Sequence, residues 1–243
     1  MQLLSIGNSF SQDAHKWLHK LAEINDVTLE TANLYIGSCP LKSHWHNYID
    51  HNPEYDFEPN GGECERKITI SEALSLRKWD IITLQQVSAD SGIYDTYEPY
   101  LSSLAAEIRK IHPDAKIYFH QTWAYETDST HGGFVNYHNN QLEMFRCIED
   151  ASNKAARAID ASVIPSGKII QILRDEVPEF NYKNGGMSLC RDGFHLSLDY
   201  GRFAAAAIWL HTITGKKIIA EQFEEFEPAI LYKIFDVVNN LEV

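Results

Sequence analysis

Short apolar runs alternate along the chain with longer segments in which apolar residues recur at every third or fourth position. The short runs are typical of buried strands, and the longer segments indicate helices with one buried face. Strands are predicted over residues 3–6, 27–35, 80–86 and 116–121, with a final short strand and turn in SVIPSG, residues 162–167. Helices are predicted at 14–22, 70–78, 97–111, 137–160 and 167–176, with a last helix over 197–214.

Strands separated by helices favour parallel pairing through right-handed crossovers. We therefore predict the α/β class, as a three-layer α/β/α sandwich with a parallel sheet of about five strands. No internal repeat or linker-like boundary interrupts the pattern, so a single domain over 1–243 is expected. Residues 52–65 hold two prolines and two glycines and are predicted to form a loop, placed to act as a lid or wall of a site.

Composition narrows the classes of partner. The hydrophobic share of 44% is ample for a packed core, and the formal net charge is −13. Such a chain repels phosphate backbones and anionic membranes, so neither nucleic acid nor a membrane is expected as a partner. The four cysteines show no zinc-type spacing and are expected to be reduced thiols. With no apolar span and no signal peptide in the sequence as it stands, a cytoplasmic protein is predicted, or a periplasmic or secreted one if a leader was removed.

The first candidate for chemistry is Ser9, in IGNSFS, at the junction between the first strand and the first helix. Ligands of parallel sheets bind at the carboxyl ends of the strands, and the free amides of a helix start favour developing negative charge. Ser9 is thus a candidate nucleophile. The alternative is that Ser9 or Ser11 only caps the helix, and the G-x-S-x-G elbow of α/β-hydrolases is absent.

A second candidate lies near the other end of the chain, where Asp192 and His195 are three residues apart in RDGFHLSLDYGRF. A nucleophilic serine needs a base, and the base needs an orienting carboxylate. Asp192 can reach Nδ1 of His195 and leave the other ring nitrogen as an acceptor. The alternative is a surface turn with an incidental histidine, since the chain has 11 of them.

Besides the backbone N–H of Ser9 itself, two residues are candidate donors to an oxyanion. Gly37, after the second strand, offers a backbone amide, and Gln86, at the end of the third strand, offers a side-chain amide. A well-placed donor contributes about 3 kcal/mol in the transition state. Gln85 and Ser88 compete with Gln86 for this role, and an ordinary turn and a polar strand end are the plainer interpretations.

Taken together, these blocks resemble the SGNH (GDSL-type) hydrolase superfamily. IGNSFS is similar to its first block, IGSCP to its second and DGFH to its last. The segments WDIITLQQVS and HQTWAY narrow the resemblance to an uncharacterised bacterial branch, over residues 3 to about 210. The resemblance implies a flavodoxin-like SGNH fold, with Ser9 as nucleophile, Gly37 as oxyanion donor, and Asp192 and His195 completing the triad. The family's third block, G-x-N-D, reads LQQVSADSG here, so a glutamine is expected to replace its asparagine.

The predicted function is that of a serine esterase acting on small acyl esters, with O-acetylated carbohydrates as one substrate class that the resemblance suggests. No cofactor or metal is implied, and the sequence does not predict an oligomeric state. His120, Trp123 and Tyr125 in HQTWAY are candidate substrate-binding residues, with core filling as the equal alternative. A non-catalytic module that binds a carbohydrate or another small molecule is the alternative function. A mononucleotide binder is disfavoured because no phosphate-cradling loop follows the first strand.

Overall fold

A seven-stranded sheet forms the centre of the computed structural model, which describes residues 1–219, 223 and 225–242. The strand order is β4-β3-β2-β1-β5-β6-β7. The strands are β1 (Gln2–Gly7), β2 (Glu30–Tyr35), β3 (Tyr55–Pro59), β4 (Arg66–Ile68), β5 (Ile81–Leu84), β6 (Lys116–His120) and β7 (Ser162–Ile164).

The predicted parallel core is confirmed. Strands β2, β1, β5, β6 and β7 pair in parallel, so β1 has one parallel neighbour on each side. This order follows the flavodoxin-like pattern, in which the chain reverses its direction of winding beside the first strand. The carboxyl end of β1 is therefore the edge at which such sheets bind ligands. Ser9 follows it directly.

The prediction of a loop over residues 52–65 is wrong. Strand β3 lies within this segment and pairs antiparallel with both β2 and β4, which extends the sheet from five strands to seven. Buried Tyr55 and Phe57 provide its apolar side. Pro53 precedes β3, Pro59 ends it, and the glycines fall in the turn after it, where Asn60 and Gly61 have positive φ. Proline is tolerated there because the strand is ending.

Helices cover both faces of this sheet. They are α1 (Ser9–His15), α2 (Leu18–Ile24), α3 (Leu41–Ile49), α4 (Ile70–Ser75), α5 (Tyr100–Ile111), α6 (Gln141–Ala158), α7 (Ser166–Glu176), α8 (Tyr200–Thr214) and α9 (Pro228–Asn240). One hydrophobic cluster joins α1, α2, α7, α8 and α9 to the sheet, a second joins α3, α4 and α5, and α6 contributes to both. The predicted three-layer sandwich is confirmed. No helix in the described part of the chain combines the length and hydropathy needed to cross a membrane.

The sequence analysis expected the helix over 197–214, which is α8, to be the last. A further helix, α9, follows it. Ile230, Leu231, Ile234 and Val238 are buried on one face of α9, at the spacing of a helix. This periodic signal is present in the sequence.

Helix α1 covers a polar strip of the sheet. Four polar side chains stand in register beneath it, one on each of β5, β1, β2 and β3: Thr83, Ser5, Asn33 and Glu58. Ser11 of α1 donates a hydrogen bond to Asn33 Oδ1 (2.7 Å), and Gln12 donates one to Glu58 Oε1 (2.6 Å). Because buried polar groups need specific partners, these bonds fix the position of α1 on the sheet more tightly than apolar packing would.

Candidate active site

Ser9 is the first residue of α1 and does not cap it. Asn8 holds the cap position, and its Oδ1 accepts a hydrogen bond from the backbone N–H of Phe10 (3.0 Å). A Cβ on Gly7 would lie 2.3 Å from Ser11 Oγ, so the chain can turn from β1 into α1 this closely only with glycine before Asn8. The Ser9 hydroxyl is thus left half-buried at the carboxyl edge of the sheet.

The structure brings Ser9, His195 and Asp192 together, although 186 positions separate Ser9 from His195. Ser9 Oγ lies 2.9 Å from His195 Nε2, and His195 Nδ1 lies 2.7 Å from Asp192 Oδ2. These are hydrogen-bond distances between nucleophile and base and between base and carboxylate. The arrangement can transfer a proton from the serine to the imidazole while the carboxylate orients the ring.

The Asp192 carboxylate is held as an anion. Burial alone would raise its pKa, but hydrogen bonds from the His195 ring and from the backbone N–H groups of His195 and Phe194 lower the pKa overall. The two backbone donors lie 2.7 and 3.2 Å from Oδ1. An ionised Asp192 favours the tautomer of His195 with the proton on Nδ1, which leaves Nε2 to accept from Ser9.

Asp13, which the sequence analysis missed, ties residues 190–196, which we call the histidine loop, to α1. Its side chain is fully buried and accepts hydrogen bonds from Arg202 Nε (2.7 Å), Arg191 Nη1 (3.1 Å) and the backbone N–H of Leu196 (2.9 Å). Asp13 lies one helical turn after Ser9, so the same short helix carries the serine and anchors the backbone next to His195. The partner arginines are too distant in sequence for any local pattern to indicate the pairing.

A second set of contacts supports the same loop from the segment after β6. Trp123 Nε1 donates to the carbonyl of Phe194 (2.7 Å), and the backbone N–H of Glu126 donates to the carbonyl of Gly193 (2.8 Å). The Trp123 ring also stacks on Phe10 of α1, with centroids 4.3 Å apart. Trp123 is thereby a support of the loop, and it is fully buried.

The three candidate substrate-binding residues of HQTWAY, namely His120, Trp123 and Tyr125, are all buried, so of the two readings the structure favours core filling. His120 hydrogen-bonds Gln85 Oε1 (2.8 Å) and Ser166 Oγ (3.0 Å), and burial lowers its pKa to about 3. Tyr125 shares a hydrogen bond with Ser88 (2.7 Å). The segment passes beneath the histidine loop, which covers it.

The candidate oxyanion donors differ in availability. In the described part of the chain, the backbone N–H groups of Ser9 and Gly37 donate no hydrogen bond to the protein. Gly37 is exposed just after β2. Asn8 holds this loop next to the serine, because its Nδ2 donates to the carbonyl of Cys39 (3.2 Å). Both amides are therefore unpaired donors on the side of Ser9 from which a reacting carbonyl could be bound.

The Gln86 side chain is committed elsewhere. Its Nε2 donates to the carbonyl (3.2 Å) and the hydroxyl (3.0 Å) of Thr96, while its Oε1 accepts from the backbone N–H of Leu41 (2.9 Å). This geometry leaves the predicted donor no free hydrogen. Gln85 uses one Nε2 hydrogen for Asn8 Oδ1 (2.7 Å) and its Oε1 for His120 Nδ1 (2.8 Å).

His131 lies next to the site, and no motif in the sequence indicated that position. The His131 ring packs against Phe194 with centroids 4.7 Å apart. Burial, and then the proximity of His195, lower its pKa. For metals, no group of three or more His, Cys, Asp or Glu side chains suited to hold an ion occurs within the described ranges.

Comparison with known proteins identifies the family. The profile of a family described as a domain of unknown function, DUF4886, matches residues 2–229. The chain belongs to the DUF4886 family. A crystal structure of a DUF4886 protein from Bacteroides uniformis is 36% identical, with a TM-score of 0.90, over 99% of this chain and 93% of that one. No curated protein matches the chain.

More distant structures relate this DUF4886 fold to the SGNH hydrolases. A protein from Slackia heliotrinireducens assigned to the SGNH hydrolases is 21% identical, with a TM-score of 0.57, over 88% of this chain and 98% of that one. A catalytic mutant of an acetylxylan esterase from Geobacillus stearothermophilus is 12% identical to this chain in sequence, with a TM-score of 0.58. The match covers 90% of this chain and 97% of that one. At these identities the likeness concerns the fold alone, and it confirms the SGNH-like fold that the sequence resemblance implied.

Proposed function

We propose that this DUF4886 protein is a serine esterase that uses Ser9, His195 and Asp192. The observation that carries the proposal is the 2.9 Å contact between Ser9 Oγ and His195 Nε2, on a ring that Asp192 orients. A surface turn with an incidental histidine gives no reason for such a contact across 186 positions. The unpaired amides of Ser9 and Gly37 beside it supply the oxyanion donors that acyl transfer needs.

The proposed reaction has two halves. Ser9 Oγ attacks the ester carbonyl while His195 Nε2 takes its proton, and the carbonyl oxygen becomes an oxyanion between the amides of Ser9 and Gly37. The bond to the leaving alcohol then breaks, and His195 returns the proton to that alcohol. Water, activated by His195, attacks the acyl-serine in the same way, which releases the acid and restores Ser9.

We propose small acyl esters as substrates, with O-acetylated carbohydrates as the leading class. The fold neighbour described as an acetylxylan esterase supports that choice. The chemistry of the triad requires no metal or cofactor, and none is proposed. The net charge of −13 remains the reason for expecting neither nucleic acid nor an anionic membrane as a partner.

Hydrolysis of p-nitrophenyl acetate tests the proposal. Wild type is expected to turn over, and Ser9→Ala and His195→Ala are each expected to lower kcat by about three orders of magnitude or more. Ser102→Ala, on the exposed side of α5, is the matched control and should behave as wild type. Equal, near-background rates for all four proteins, on this ester and on acetylated sugars, would favour the non-catalytic binding module.

A further inference from the structure

A row of in-register residues leads from the catalytic edge towards the outer strands. Gly7, Tyr35, Asp56 and Lys67 occupy matching positions on β1, β2, β3 and β4. Residues directly opposite each other on neighbouring strands project to the same face of a sheet. The row therefore begins two residues before Ser9 and ends on the hairpin that the loop prediction missed.

A cleft of about 460 Å³ is lined by the three outer members of this row, Tyr35, Asp56 and Lys67, and Gly37 is part of its wall. Most of the side chains that line it are polar, among them Tyr35, Ser38, Asn47, Glu54, Asp56 and Lys67. Gly37, whose backbone amide is the candidate oxyanion donor, is thus the residue that the cleft shares with the candidate active site.

The polar groups of the cleft are suited to hydroxyls. Tyr35 Oη would lie 3.2 Å from a Cβ placed on Gly37, and its pKa is raised by burial first and then by Glu58 and Asp56, so the phenol stays a hydrogen donor. Asp56 Oδ1 lies 3.1 Å from Lys67 Nζ. A carboxylate, an ammonium and a phenol side by side can accept from and donate to neighbouring hydroxyls of one polyol.

We propose that this cleft binds the sugar part of an acylated carbohydrate, with Tyr35 and Asp56 as its specificity-determining residues. The inference rests on the proposed esterase function. It implies that the alcohol released from the ester is a polyol. A long acyl chain in the same place would strip water from charged groups without replacing their hydrogen bonds, which is costly. The hairpin β3–β4, which supplies Asp56 and Lys67, is thus a recognition element of the site.

Substrate discrimination provides the test. We compare kcat/KM on acetylated xylo-oligosaccharides with kcat/KM on p-nitrophenyl acetate, in wild type, Tyr35→Phe and Asp56→Asn. The ratio is expected to fall by about tenfold in each variant, mainly through KM for the oligosaccharide. Unchanged ratios, with the protein active on p-nitrophenyl acetate, would overturn the cleft assignment and leave the esterase proposal standing.

The chain offers a closely matched control. Lys78 and Asp114 form an exposed pair at 3.0 Å, close to the 3.1 Å of Lys67 and half-buried Asp56, but they lie before β5 and β6, at the opposite edge of the sheet. Asp114→Asn should leave the ratio at the wild-type value. Thermal melting of Asp56→Asn and Asp114→Asn then shows whether loss of either pair has affected folding.

A binding measurement separates the two proposals when turnover is absent. Calorimetric titration of the Ser9→Ala protein with acetylated xylo-oligosaccharides should show binding, and adding Asp56→Asn should weaken it by about tenfold. Binding that depends on Asp56 without any hydrolysis by wild type would support the cleft and overturn the esterase. No binding, or binding that is indifferent to Asp56, would overturn the cleft.

Discussion

The two sides of Ser9 are built differently. On one side, the histidine loop (residues 190–196) is held by buried Asp13 and buried Trp123. On the other side, residues 35–40, which we call the glycine loop, leave Gly37 and Ser38 exposed beside the polar cleft. One side is fixed by buried contacts, and the other presents polar groups to solvent.

This difference follows from what each side has to do. Proton transfer between Ser9 and His195 needs a distance held within a few tenths of an ångström, and buried hydrogen bonds supply such positioning. Recognition of a polar ligand instead needs donors and acceptors that remain accessible from solvent. We therefore expect substitutions in the supports of the histidine loop to affect stability and kcat, and substitutions near the glycine loop to affect KM.

The largest effect is expected for Asp13→Ala. Loss of this carboxylate leaves Arg191 and Arg202 without their buried partner, which should lower the free energy of unfolding by about 3–5 kcal/mol. The release of the Leu196 backbone should also lower kcat for p-nitrophenyl acetate. Urea unfolding and steady-state kinetics measure the two effects.

Glu58→Gln provides the matched control for Asp13→Ala. Glu58 is also a buried carboxylate beneath α1, but its hydrogen bonds come from the neutral side chains of Gln12 and Asn33. Its replacement should cost about 1 kcal/mol, because one hydrogen bond is lost and no ion pair is broken. If the two variants lost the same free energy of unfolding, the contacts of Asp13 with the arginines would contribute no extra stability.

Acid should destabilise the protein on both sides of Ser9, because a buried histidine packs beneath each of the two loops. Burial lowers the pKa of His120, beneath the histidine loop, and of His44, behind the glycine loop, to about 3 from 6.5. Between these values the folded state binds fewer protons than the unfolded state, so stability is complete above 6.5 and falls as the pH drops. The slope is up to about 1.4 kcal/mol per pH unit for each histidine.

Urea unfolding across this pH range tests the point. His120→Gln and His44→Gln should each give a shallower loss of stability with falling pH than wild type, whatever their stability at neutral pH. If both variants keep the wild-type slope, these histidines do not titrate on unfolding as expected.

Trp123→Phe tests the support of the histidine loop with a smaller change. The variant loses the Nε1–H bond to the Phe194 carbonyl, at an expected cost of about 1–3 kcal/mol, and kcat should fall. Trp209→Phe is the control, since its Nε1–H bond goes to Ser166 in the core and its cost in stability should be similar. A fall in kcat in both variants would argue against a special role for Trp123.

The smallest expected effects come from one glycine on each side. Gly193 in the histidine loop has φ +84°, and a Cβ there would lie 3.0 Å from Ser129 Cα, so Gly193→Ala should cost about 1–2 kcal/mol. A Cβ on Gly37 would meet only the tip of the Tyr35 side chain, so Gly37→Ala should stay within about 0.5 kcal/mol of wild type. Equal losses would contradict the contrast between the loops.

Several features of the site could be predicted because they are local. A strand that ends at Gly7 and a helix that begins at Ser9 put the serine at the carboxyl edge of the sheet. Asp192 and His195 meet within one tight turn, so three residues of spacing were enough to predict their contact. Alternating strands and helices likewise predicted the parallel core, because backbone crossovers permit few other arrangements.

Other features depend on partners that are far apart in the chain. From the sequence, Gln86 is predicted to have a free side-chain amide at the end of a strand. In the structure that amide is hydrogen-bonded to Thr96 and to the backbone N–H of Leu41. The turn residues of 52–65 obscured β3, which becomes a strand because β2 and β4 offer it hydrogen bonds. In HQTWAY, exposure or burial was decided by the loop that covers the segment.

The sequence by itself thus determined the layered fold and the positions of Ser9, Asp192 and His195, since periodicity and short turns act over a few residues. Only the tertiary structure decided which polar groups remain free. Asp13 and Arg191 are 178 positions apart, and no local pattern records their contact. A buried donor or acceptor takes whichever partner the folded chain brings to it, because leaving it unpaired costs more than any local preference contributes.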